Sequence, residues 1–134
     1  MNNMNKPLTL KETIEKHRKL WNWIANETEK RQKIVLKEEN PMVQKDKPQS
    51  KCYCCQFVIE QTGCKGCEIC PLNWGKRRDG FFSLCTDDNT LYKRWNFIIR
   101  VDNENWEEAA KLAREIANLP LKPEYQKMLD KEKE

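Results

Sequence analysis

Apolar residues in the first part of the chain recur with the spacing of an amphipathic α-helix. The positions that share one stripe are Leu10, Ile14, Trp21 and Ile24. Thr9 and Glu12 have the spacing of a capping box, in which each side chain satisfies a free backbone N–H of the first turn. The pattern predicts a helix from about Leu10 to about Glu39, since the residue before Pro41 avoids helical backbone angles. Its second half, rich in Lys and Glu, is expected to stand clear of the core.

The last third of the chain carries two further helical patterns. One runs from Leu91 to Ile99 after the capping residue Thr90, and the next, at about 104–118, has an alanine-rich apolar face. A short last turn is expected to begin at Pro123. We expect the core to be built around three tryptophans, Trp74, Trp95 and Trp106.

These patterns predict a mainly α-helical fold, in which a long N-terminal helix and two C-terminal helices surround a small irregular zinc-knuckle module. We expect residues 51–120 to form one compact unit with the first helix. The predicted divisions are a helical arm at 1–39, a linker at 40–51, a cysteine-rich module at 52–86 and a helical C-terminal part at 87–134.

The composition narrows the class of protein. Apolar residues make up 38% of the 134 and charged residues 34%, so the core is small and a cross-link would help it fold.

No segment approaches the ~20 apolar residues that span a bilayer, and Met1 to Leu10 lacks the apolar stretch of a secretory signal. We therefore expect a cytoplasmic protein with no membrane partner. The pI of about 8.6 is lower than that of dedicated nucleic-acid-binding domains.

Seven cysteines are concentrated in the middle of the chain. Cys52 and Cys55 form one pair separated by two residues, and Cys67 and Cys70 form another. This spacing lets both thiolates of a tight turn reach one ion, and two such pairs supply the four tetrahedral ligands of a structural zinc site. In a reducing compartment, clustered cysteines hold metal more often than they form disulfides. The sequence thus predicts a structural Zn²⁺ ion.

The ligand set has alternatives, because one site needs only four cysteines. Cys64 could replace Cys67, since these two also form a two-residue pair, and Cys85 could be the fourth ligand. Cys54 is predicted to be a bystander that points away from the ion of its neighbours. His17, the only histidine, is expected to pack on its helix rather than to ligate.

The sequence matches other chemistries of the cysteines less well than a zinc site. Cys64, Cys67, Cys70 and Pro71 echo part of a ferredoxin sequence but lack its fourth cysteine. A binuclear cluster with six cysteines would need basic residues between the ligands, and these are missing. A set of reduced buried cysteines or a disulfide framework is the remaining alternative.

Catalysis is not expected from this sequence. A nucleophilic cysteine needs a base, usually histidine, and nothing in the sequence pairs His17 with a thiol. Motifs for phosphate binding, dinucleotide binding and zinc proteolysis are absent.

Two features are candidates for partner binding. Lys76, Arg77 and Arg78 form a basic turn that could contact phosphates, although an ordinary solvated turn is the simpler interpretation. Trp23 lies two residues from Trp21 on the first helix, so the two cannot share a face. Trp23 is therefore a candidate interface residue, because tryptophan is enriched at interface hot spots.

Four motifs together resemble a group of small, mostly uncharacterised cysteine-rich proteins of phages and prophages of Gram-positive bacteria. They are Thr9-Leu10-Lys11-Glu12 with Trp21, Cys55-Gln56-Phe57, Cys67-x2-Cys70-Pro71-Leu72-x-Trp74, and Cys85 before Tyr92-x-x-Trp95 and the Ala113–Pro120 ending. The resemblance covers most of the chain. The resemblance implies that Cys54 and Cys64 matter less than the other five cysteines, which are Cys52, Cys55, Cys67, Cys70 and Cys85.

The resemblance implies a small phage-encoded protein that acts by binding. We expect a non-enzymatic, zinc-stabilised inhibitor or adaptor of a host protein, including an anti-defence protein. The alternative is a nucleic-acid-binding zinc module that uses the basic arm and the turn at 76–78.

Overall fold

A computed structural model of the chain describes residues 8–48, 52–62 and 70–132. The prediction of a mainly helical chain with a long N-terminal helix and C-terminal helices is confirmed. The helices are α1 (Leu10–Arg31), a 3₁₀ helix (Lys37–Glu39), α2 (Pro41–Asp46), α3 (Tyr53–Thr62), α4 (Leu91–Val101), α5 (Trp106–Ala117) and α6 (Pro123–Glu132).

The capping box at the start of α1 forms as the sequence predicts. The Thr9 hydroxyl accepts from the Glu12 backbone N–H at 3.1 Å, and the Glu12 carboxylate accepts from the Thr9 N–H at 3.0 Å. The helix ends at Arg31, well before the predicted limit near Glu39. Gln32 adopts a left-handed conformation, with φ of 53°, and its N–H bonds the Thr28 carbonyl. This cap turns the chain and brings Val35 back into the interior, where it is 1% exposed.

The second half of α1 packs against the core instead of standing clear of it. Ile24, Ala25 and Thr28 are buried, and α1 packs mainly on α5. Three alanines of α5 are also fully buried and allow the two backbones to approach closely. They are Ala109, Ala113 and Ala117.

The region predicted as a linker contains the short helix α2. The Asn40 side chain accepts from two backbone N–H groups at its start, and Pro41 occupies its first position. Asp46 at its end is buried and accepts from Lys16 at 2.5 Å and from the Tyr53 hydroxyl at 2.9 Å. These bonds hold α2 against α1 and α3. Residues 49–51 lie outside the described ranges.

The cysteine-rich segment contains a regular helix, α3, where an irregular knuckle was predicted. The inward residues of α3 are spaced as a helical face and comprise Tyr53, Cys54, Phe57 and Val58. Apolar burial on this face therefore outweighs the tight-turn geometry that the Cys-x2-Cys spacing alone suggested.

The described interior consists of two apolar clusters. The first joins α1, α4 and α5 around Trp21 and Trp95, whose rings meet edge to face with centroids 4.8 Å apart. The second joins α3 and α6 to the start of α1. Trp74 contacts both clusters. Trp106, which was predicted to belong to the core, is only partly buried at the start of α5, whereas Trp21 of the predicted apolar stripe is buried. No helix in the described part of the chain is long and apolar enough to cross a membrane.

Candidate thiolate metal centre

Cys52 lies immediately before α3, and its sulfur is at the N-terminus of that helix. Thiols of Cys54 and then Cys55 donate hydrogen bonds to it, and the Cys55 backbone N–H adds another. These donors hold the pKa of the Cys52 thiol well below its usual range. Cys52 and Cys55, the predicted first ligand pair, are therefore close together, with one sulfur prepared as a thiolate.

Cys54 lies between Cys52 and Cys70 and is fully buried. Its thiol lies within hydrogen-bond range of both sulfurs, and these two contacts together with burial raise its pKa well above the usual range. The spacing argument predicted that Cys54 is a non-ligand that points away from the ion of its neighbours, and this stays a prediction. The helical geometry of α3 turns the side chain inward, where it links the first cysteine pair to Cys70.

Cys70 begins the next described segment and is also buried. The Cys54 thiol is the main cause of its lowered pKa, helped by the Leu72 backbone N–H. The indole N–H of Trp74 is buried without a hydrogen-bond partner of normal geometry among the described residues. It lies close enough to the Cys70 sulfur to lower that pKa further. Backbone and indole donors directed at sulfur suit a thiolate that binds a metal.

His17 is buried in α1 and lines a cavity of about 180 Å³ beside the cysteines. Its Nε2 is 3.0 Å from the Ile116 carbonyl, which can only accept, so Nε2 carries the proton. Burial lowers the pKa of the imidazole, which keeps the ring neutral. The sequence did not predict that His17 would share a cavity with Cys52.

Cys85 faces the same cavity as Cys52 and Cys55. Its backbone carbonyl accepts from the Thr90 hydroxyl at 2.6 Å, so it is tied to the N-cap of α4. The structure thus brings the late cysteine towards the first pair, from a distant part of the sequence. Trp21, Trp74 and Tyr92 form the aromatic walls of this cavity.

The sulfurs of Cys55, Cys52, Cys54 and Cys70 form a hydrogen-bonded chain. In residues 8–48, 52–62 and 70–132, no three Cys, His, Asp or Glu side chains converge in the arrangement of a metal site. Two predicted ligands, Cys64 and Cys67, lie outside the described residues. The donor set nevertheless fits a soft or borderline metal, because thiolates are grouped and supplied with N–H donors.

The predicted basic turn is a small hairpin at the surface. A bridge joins Lys76 to Phe82, and the Arg77 N–H donates to the Phe81 carbonyl at 2.7 Å. The Arg77 guanidinium pairs with Asp87 at 2.8 Å, and this contact lowers the pKa of the Asp87 carboxyl. Lys76 and Arg78 are exposed, and Phe81 is 70% exposed at the tip.

Trp23, the other predicted partner-binding residue, is only partly exposed. It packs against the edge of the first core cluster. Its position at the rim matches the prediction that Trp21 and Trp23 face different ways. Trp23 therefore contributes to the core as well as to the surface.

Comparison with known proteins found no matching family model, no similar curated protein and no similar solved structure.

Proposed function

We propose that this chain is a non-enzymatic binding protein whose cysteine-rich segment is held together by a structural zinc ion. The observation that supports this proposal is the hydrogen-bonded chain that links Cys55 and Cys52 through Cys54 to Cys70, with backbone N–H groups directed at two of the sulfurs. Cys67, which is separated from Cys70 by two residues, is the proposed fourth zinc ligand. A bound zinc ion would tie the N-terminus of α3 to the segment that begins at Cys70.

Metal content is the first test of the zinc proposal. Protein purified without chelator should contain about one zinc per chain by mass spectrometry of the metal. Cys52→Ser and Cys70→Ser should each lose most of the zinc. Cys54→Ser is the matched control, because its hydroxyl keeps a hydrogen-bond donor between the two neighbouring sulfurs, and it should keep the metal. Iron with visible absorbance, or zinc lost only in Cys54→Ser, would contradict the proposed ligands.

The non-enzymatic part of the proposal is tested by thiol reactivity. Cys52 and His17 line one cavity, which is the pairing that a cysteine nucleophile would need. The hydrogen-bond donors on Cys52 are, however, the Cys54 and Cys55 thiols and the Cys55 backbone N–H, and not the imidazole. Zinc-loaded protein should therefore react slowly with iodoacetamide. Rapid alkylation of Cys52 that His17→Gln abolishes would identify a catalytic pair instead.

The proposed activity is binding to another protein, as an inhibitor or adaptor. The resemblance to phage and prophage proteins supports a host protein as the target. Trp23 at the rim of the core offers a partly exposed aromatic anchor of the type found in interface hot spots. Trp23→Ala should weaken the complex with an identified target without loss of zinc.

A nucleic-acid-binding function is the second candidate, favoured by the hairpin tip. Phe81 is exposed beside Lys76 and Arg78, and this combination suits stacking on a base together with phosphate contacts. A gel-shift assay at about 50 mM salt tests it, because phosphate contacts are strongest at low salt. No shift under these conditions would exclude this candidate.

A further inference from the structure

We infer that Cys52 and Cys55 form a redox switch, in which hydrogen peroxide joins their sulfurs in a disulfide and thereby releases the zinc ion. This inference rests on the proposed zinc site and adds its regulation. Three features of the described residues support it. The two sulfurs are close together, both residues line one cavity, and the neighbouring thiols of Cys54 and Cys70 are buried.

The sulfurs of Cys52 and Cys55 need little movement to form a disulfide. The Cys55 thiol lies within hydrogen-bond range of the Cys52 sulfur. The Gln56 backbone N–H donates to the Cys52 carbonyl at 3.1 Å, so both cysteines belong to one closed helical turn. A disulfide requires Cα atoms roughly 4.4–6.8 Å apart, and residues three positions apart on such a turn meet this limit.

The cavity of about 180 Å³ gives a small oxidant access to this pair. Cys52 and Cys55 both line it and are partly exposed. Cys54 and Cys70 are 0% and 6% exposed and do not line it. Hydrogen peroxide is neutral and little larger than a water molecule, which takes ~30 Å³ in the liquid. Peroxide therefore fits the cavity, whereas a charged peptide disulfide such as glutathione disulfide is too large for it.

The oxidation is a two-electron reaction of two thiolates. The Cys52 sulfur attacks one peroxide oxygen and breaks the O–O bond, which leaves a sulfenic acid on Cys52 and a hydroxide that takes a proton from solvent. The Cys55 sulfur then attacks the Cys52 sulfur and displaces a second hydroxide, which also takes a proton. The peroxide is thus reduced to two water molecules, and the two thiolates are oxidised to one disulfide.

This disulfide removes two of the four proposed ligands, because zinc binds cysteine as the thiolate. The remaining pair, Cys67 and Cys70, does not complete a tetrahedral site, so Zn²⁺ leaves. The new bond lies within a single helical turn and does not replace the tie between α3 and the segment that begins at Cys70. Oxidation therefore loosens the second apolar cluster, and reduction in the presence of zinc restores it.

The test treats the full, zinc-loaded chain with excess hydrogen peroxide and follows released zinc with a colour indicator. Zinc release should match the loss of two thiols for each ion, counted by mass spectrometry after alkylation. Dithiothreitol with added zinc should return most of the metal. Glutathione disulfide at the same concentration should release zinc at least ~10-fold more slowly, because the cavity restricts its access to the sulfurs.

Disulfide mapping identifies the oxidised pair. Chymotrypsin cleaves after Tyr53 and so places Cys52 and Cys55 on different peptides. Cys54→Ser makes the assignment unambiguous, and its two peptides should be joined after oxidation. Cys85→Ser is the matched control, because Cys85 lines the same cavity but is not one of the four proposed ligands. This variant should form the Cys52–Cys55 disulfide at the wild-type rate.

Several outcomes would overturn the inference. These are zinc release without a Cys52–Cys55 disulfide, a disulfide to Cys70 or Cys85 in its place, or equally fast release by glutathione disulfide. Zinc that is present but resists peroxide would refute the switch and leave the metal site intact. A chain that holds no zinc yet forms the Cys52–Cys55 disulfide would refute the metal site while supporting the redox pair.

Discussion

At the level of single residues, the buried contact between Tyr53 and Asp46 fixes the position of the first cysteine pair. Tyr53 is 1% exposed, and its hydroxyl donates to the Asp46 carboxylate at 2.9 Å. Tyr53→Phe removes one bond to a charged acceptor and should lower the free energy of unfolding by about 2 kcal/mol. Chemical denaturation checks this. The control is Tyr92→Phe, which loses a longer, partly exposed contact with Lys37. It should lower the free energy of unfolding clearly less than Tyr53→Phe does.

His17 gives the fold a stability that depends on pH. Burial lowers its pKa from 6.5 in the folded chain, whereas the unfolded chain retains about the ordinary value. Below pH ~6.5 the unfolded chain therefore binds a proton that the folded chain does not. The folded state should lose stability as pH falls below this value, by up to ~1.4 kcal/mol for each pH unit.

Comparison with His17→Gln isolates the contribution of His17. The glutamine amide can still donate to the Ile116 carbonyl but does not titrate. Unfolding free energies of both proteins, measured between pH 7 and pH 5, should diverge as the wild type loses stability more steeply. Parallel curves would mean that His17 is already solvated or charged in the folded state.

At the level of elements, the end of α1 is held in an unfavourable backbone conformation. Gln32 has φ of 53° and ψ of 44°, where a side chain costs about 1–2 kcal/mol. Gln32→Gly removes this cost but makes the unfolded chain more flexible, so the net stabilisation should be about 0.5–1 kcal/mol. Thermal unfolding measures it. Gln32→Ala is the matched control and should bring no gain, and a gain equal to that of glycine would contradict this explanation.

The same helix end shows what the sequence could and could not predict. The capping box and apolar stripe located the start of α1 because both are local signals. The end was missed because the cap residue is a glutamine rather than the usual glycine, and because burial of Val35 depends on the rest of the fold. Similarly, the spacing of Cys52 and Cys55 predicted their proximity, whereas the approach of Cys54 to Cys70 required the inward face of α3.

At the level of the whole molecule, the two apolar clusters would depend differently on the proposed metal. The first cluster joins most of α1 to α4 and α5 through extensive packing. The second contains Cys54 and Cys70 and joins α3 and α6 to the start of α1. If zinc binds as proposed, it supports the second cluster directly and the first only through shared elements.

Removal of the metal should therefore loosen the protein unevenly. After treatment with a strong chelator, amides of α3 and α6 should exchange with deuterium at least ~10-fold faster, because their packing depends on the cysteine segment. Amides of α5 and the middle of α1 should keep most of their protection, since fully buried Ile24, Ala113 and Ile116 hold them together without any cysteine. Hydrogen exchange read by mass spectrometry resolves these helices.

Cys52→Ser provides the matched control for this experiment, because it should reproduce the chelator pattern without any chelator and show no further change when chelator is added. Uniform loss of protection in every helix would mean that the two clusters form one cooperative unit. Unchanged exchange in α3 would mean that the thiols alone hold this helix and that the metal contributes nothing to the fold. The distribution of protection thus separates a zinc ion that supports one cluster from one on which the entire fold depends.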